Sequence, residues 1–141
     1  MRARLLVAGL GCIVTLFAAT TTQAIEPKSI AELDLMDDGE LVWEAALNCS
    51  TLNASIIVYG AGNWHDPKQV KAMDYMDTIE RVARKHHGGK TPPIYGKLRT
   101  ASRDTSREYP EGPCFHVAHT DPAFVKYLKA KARQGRGNDS E

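Results

Sequence analysis

The sequence predicts an all-α fold: a small bundle of three or four helices, clipped by one disulfide and preceded by a cleaved export signal. Three features predict it. Apolar residues recur at helical spacing through three long segments. Each of those segments opens on an aspartate and closes on glycine, the residues that start and stop helices. Once the N-terminal segment is removed, two cysteines remain in a chain bound for an oxidising compartment.

The first element is the signal, residues 1–24. Arg2 and Arg4 make a basic start, Leu5 to Ala19 is an uncharged and mainly apolar run, and Thr22 and Ala24 precede a small-residue cleavage point. The run is shorter than the roughly 20 residues a membrane-spanning helix needs. Gly9-Leu10-Gly11-Cys12 resembles a lipidation site. Cleavage there would leave a stub of apolar chain and halve the apolar segment, so cleavage after Ala24 is preferred.

A single domain is expected over residues 25–134. A short helical turn is read near Ser29 to Leu35. The first long helix starts at Asp37 or Asp38, where Asp37 and Glu40 form a capping pair. Val42, Ala45, Ala46, Cys49, Leu52, Ile56 and Tyr59 mark one face, and apolar residues elsewhere around the circumference make it a central helix. Gly60 and Gly62 end it. The second helix opens on Asp66-Pro67 and stops at Gly88-Gly89, with Ala72, Met76, Ile79 and Val82 inward. A third, thin helix follows Pro92-Pro93 and runs towards Pro110. A short extended stretch is read at Phe115 to Val117. The last helix opens on Asp121-Pro122, and residues 135–141 form a disordered polar tail.

Cys49 and Cys114 are expected to pair across 65 positions, since Cys12 leaves with the signal. Cys49 sits in an apolar segment, which suits an inert sulfur better than a reactive thiolate.

Charge excludes one class of function. The full chain has 18 Lys and Arg against 17 Asp and Glu, a balance unlike that of a dedicated nucleic-acid binder. The charges are unevenly placed. Residues 25–63 carry seven acids and Lys28 alone, so the early acids are expected to lie against the later bases.

Candidate chemistry is sparse. Arg99, Arg103 and Arg107 recur every four residues and would line one face of the third helix, a surface for a protein or anionic partner. His116 and His119 stand three apart and, with His65, are the candidate metal ligands. Met73 and Met76 suit copper by type, but their helical spacing beside Tyr75 and Ile79 reads as core. Asp38 and Glu44 are the acids that a hydrolytic reading would use. No Walker loop, nucleophile elbow or paired C-x-x-C occurs. The sequons at Asn48 and Asn53 fall inside an apolar helix and are read as chance.

The expected function is that of an exported, periplasmic or secreted, helical binding protein. No catalytic residues and no cofactor are assigned to it, and no membrane-spanning segment after signal cleavage. The alternative is a metal- or haem-binding carrier built on His116 and His119.

Overall fold

The computed structural model describes residues 25–139, with side chains through Gly137. The signal read in residues 1–24 lies outside them. Among the described residues the fold is all helix, in the order α1 (Ile30–Asp34), α2 (Asp38–Tyr59), α3 (Pro67–His86), α4 (Pro93–Ser102), α5 (Pro113–Ala118) and α6 (Pro122–Asp139).

The helix starts follow from local hydrogen bonding. Oδ1 of Asp37 accepts from the Glu40 amide at 2.8 Å. Asp66 Oδ1 accepts from the Lys68 amide at 3.2 Å, and Asp121 Oδ2 from the Phe124 amide at 3.1 Å. Ser29 caps α1 through the Glu32 amide. Each cap satisfies an amide that has no partner within its own helix. At the other end of α2, Gly60 takes φ of 85°, a conformation that favours glycine.

α2 is the centre of the molecule, packed against α3, α4, α5 and α6. It is long and apolar enough to cross a bilayer, but most of it is buried inside this fold. Leu41, Ala45, Ala46 and Cys49 meet Met76 and Ile79 of α3, Leu98 of α4 and Phe124 of α6 in one core. Trp43 joins α2 to the last two helices. Its ring lies 5.7 Å from Phe115, 6.1 Å from Phe124 and 6.3 Å from Tyr127. Cys49 and Cys114 are bonded, with Cα atoms 5.8 Å apart, so the sulfurs tie the middle of α2 to α5.

Three elements differ from expectation. Phe115 to Val117 is helical, not extended, because Pro113 opens a short helix there. α6 continues to Asp139, five residues into the segment read as a tail. α4 stops at Ser102, well short of Pro110. The cause of that stop is tertiary. The buried side-chain amide of Asn53, on α2, donates to the carbonyls of Ser102 and Asp104 at 3.0 and 2.8 Å. Ser102 Oγ turns back to donate to the Arg99 carbonyl at 2.6 Å. Asp104 then accepts from the Ser106 amide at 2.9 Å, closing a local turn.

Candidate binding groove

The acidic early segment meets the basic later one, as the charge pattern predicts. Asp34 faces Lys85 at 3.1 Å and His86 at 3.5 Å, and Asp38 faces His87 at 3.0 Å. Glu44 is buried within α2 and held by two partners. Tyr75 Oη donates to it at 2.7 Å and Lys28 Nζ at 3.0 Å. The Lys28 amide in turn donates to Tyr75 Oη at 3.0 Å, which fastens the lead-in segment to α2 and α3. Asp38 and Glu44 are thus engaged with separate structural partners, and the hydrolytic reading gains no shared site.

The three candidate metal ligands do not come together. His65 lies in the loop after α2, where its amide donates to Asn63 Oδ1. His116 stacks on Tyr109 at 3.8 Å and faces Glu111 at 3.6 Å. His119 donates from Nδ1 to the Phe115 carbonyl at 2.6 Å and sits edge-on to Phe124. Among the described residues no three His, Cys, Asp or Glu side chains gather as a metal would require. Spacing of i, i+3 could not supply that convergence, because α5 is only 6 residues long and ends before His119.

The arginine face is also corrected. Arg99 is on α4, Arg103 caps its end, and Arg107 lies in the following loop with φ of 58°. The early stop of α4 breaks the periodicity. Arg99 is moreover occupied: its Nη2 donates to Asp77 and Glu80 of α3, each at 2.6 Å. The bond to Glu80 pushes its pKa above the ordinary arginine value, burial opposes this, and Asp77 adds to the rise. Arg99 is therefore a clamp between α3 and α4. Arg103 is exposed and makes no side-chain ion pair among the described residues.

What the structure does bring together is a groove of about 360 Å³ between α2, α3 and α4. Leu52 and Ile56 of α2 and Met73 and Met76 of α3 supply its apolar lining, and Arg99 and Arg103 its polar edge. Leu52 and Ile56 form a small cluster with Ala72, separate from the main core. Met76 is buried as the helical spacing predicts, but Met73 is 44 % exposed at the groove.

The wall of the groove is the loop after α2, which contributes Ala61 and Gly62. Gln69 builds that wall. Its side chain is buried, donates to the Gly60 carbonyl and to Ser55 Oγ at 3.0 Å each, and accepts from the Asn63 amide at 2.8 Å. Ser55 Oγ also donates to Asp66. Gln69 stands in the first turn of α3, and its side chain braces the loop before that helix. Asn48 is another polar residue whose role is missed. Its amide is buried and donates to the Ala72 carbonyl at 2.7 Å. The available signal was a polar side chain placed on an apolar helix face, which requires a buried partner.

The same end of the molecule exposes large apolar side chains. Val58 is 69 % exposed, Tyr59 60 % and Trp64 84 %. All three lie on the last turn of α2 or in the loop that walls the groove. No known family model, curated protein or solved structure matches this chain.

Proposed function

We propose that this chain is an exported helical binding protein whose groove seats an apolar segment of a partner protein that carries a carboxylate. The observation that carries the reading is the groove itself: an apolar floor with Arg103 uncommitted at its edge, beside exposed Val58, Tyr59 and Trp64. Clustered exposed apolar residues mark interaction surfaces, and aromatic, methionine and arginine side chains are the types enriched there. Methionine adds adaptability, since its flexible thioether moulds to differently shaped apolar groups. Arg103 supplies the complement for a carboxylate, with a planar fork that pairs in two-point fashion.

Export is supported by the Cys49–Cys114 bond, which persists in oxidising compartments, and by the layout of residues 1–24. The protein recovered from its host is expected to begin at Ile25 and to lie outside the cytosol.

The test uses an array of short peptides rich in Leu and Phe, each made with a terminal Asp or a terminal Lys. Trp64 emission reports binding. The acidic set is expected to bind in preference to the basic set, Arg103→Glu to reverse that preference, and Met73→Asp to abolish binding of both. Failure of every peptide to bind, or binding unchanged in both variants, overturns the assignment of the groove.

A further inference from the structure

α6 carries a cationic stripe along one face. Lys126, Lys129, Arg133 and Arg136 stand at spacings of three, four and three, so they fall within about 80° of one another around the helix. The stripe is roughly 15 Å long at the ordinary helical rise. None of the four makes an ion pair among the described residues. Lys126, Lys129 and Arg133 line one open groove of about 590 Å³. The one lysine of this stretch on another face, Lys131, is turned back to the body, 4.9 Å above the Trp43 ring.

The position of the stripe matters as much as its charge. Residues 129–137 are all exposed, and within them Lys131 turns back over the Trp43 and Tyr127 rings while the stripe faces outward. Beyond Leu128 its only apolar side chains are Ala130 and Ala132.

We infer that this stripe is an electrostatic docking face for an anionic phospholipid surface. Charge complementarity requires an anionic occupant, and three further observations select its kind. The face is an open helix surface and not an enclosed pocket, so it suits an extended array of phosphates better than a single small anion. Its aromatic neighbours, Phe124 and Tyr127, are engaged with Trp43, and the His119 ring, which also lines the groove, is edge-on to Phe124 and bonded to the Phe115 carbonyl, so these rings are not set out for stacking on nucleic-acid bases. A protein partner would need apolar anchors at the centre of the contact, and the outer half of α6 has none. A bilayer bearing anionic headgroups needs only the basic residues near its surface. The inference is independent of the groove between α2, α3 and α4.

The test is co-sedimentation of the protein, purified from its host, with vesicles. One set contains equal parts phosphatidylglycerol and phosphatidylcholine, the other phosphatidylcholine alone. Binding to the anionic set is expected at low salt and not at molar salt, where exposed charges are screened. The variant K126Q/K129Q/R133Q/R136Q should lose affinity by roughly a hundredfold or more, with its helical circular dichroism retained. Lys126→Arg with Lys129→Arg should bind as the parent does, and so should Lys85→Gln with Lys90→Gln. Any of three results overturns the inference: no binding to anionic vesicles at low salt, equal binding to both vesicle types, or undiminished binding by the quadruple variant. Retention on duplex DNA or heparin without vesicle binding overturns it too, in favour of a soluble polyanion.

Discussion

Gly39 shows how much a single missing side chain can decide. It sits in the first turn of α2, and a Cβ placed there would meet Tyr127 Cβ at 2.5 Å and the Ala123 carbonyl at 2.6 Å. One of those obstacles is backbone, so α6 would have to move. Alanine is ordinarily the better helix former by up to about 1 kcal/mol. Overpacking costs typically about 1–3 kcal/mol, and here it acts on a helix–helix contact. Gly39→Ala is therefore expected to destabilise the fold by about 1–2 kcal/mol. Urea unfolding measures this, and a stabilised variant would show that α2 and α6 are not in such close contact. Asn53 makes the same point in polar form, since one buried amide on α2 sets where α4 ends.

At the scale of elements, the lead-in segment and α3 are joined to α2 through Tyr75. Burial pushes the Tyr75 phenol above the ordinary tyrosine range, and its bond to the Glu44 carboxylate pushes it further the same way. Burial likewise raises Tyr95 on α4, with the nearby acids Asp38, Asp121 and Glu80 contributing. The neutral phenol is then favoured in the folded chain. Stability from this source is complete below the unfolded tyrosine value of about 10 and is lost as pH rises beyond it, because the unfolded state sheds protons first. The expected slope is roughly 1.4 kcal/mol per pH unit for each tyrosine. Tyr75→Phe should shallow the alkaline decline of unfolding free energy while lowering stability near neutrality by about 1 kcal/mol. An unchanged alkaline slope would mean that Tyr75 ionises freely in the folded protein. The acids and bases of the early and later segments complete this joining, although their exposed pairs contribute little individually.

For the molecule as a whole, the disulfide is the largest single constraint. It closes a loop of 65 positions and ties α5 to the central helix, and through Trp43, Phe115 and Phe124 it helps hold α6 in place. In the chain-entropy account such a loop is worth about 4 kcal/mol. Domains of this size have margins of about 5–15 kcal/mol, so the bond is a substantial fraction. Cys49→Ala with Cys114→Ala, or reductant added to the parent, should lower the unfolding free energy by that order. Reductant should leave the double variant unaffected. A parent protein indifferent to reductant would argue that helix packing alone stabilises the fold.

The sequence by itself determined the all-helical class, the sulfur pairing and the starts of α2, α3 and α6. Each helix start rests on a side chain that bonds an amide two or three residues away, and the pairing followed from the cysteine count once Cys12 was assigned to the expected signal. Where α4 stops, that Arg99 is held by α3 while Arg103 makes no ion pair among the described residues, and where the apolar groove opens were decided by tertiary structure. Those features depend on Asn53 reaching Ser102, Arg99 reaching Glu80 and Gln69 bracing a loop nine residues behind it. The stripe on α6 is regular in sequence, yet only the packing shows that Lys126, Lys129, Arg133 and Arg136 make no ion pair among the described residues and that they are exposed. Local bonding is legible along a chain; which polar groups remain unsatisfied after folding is a property of the whole.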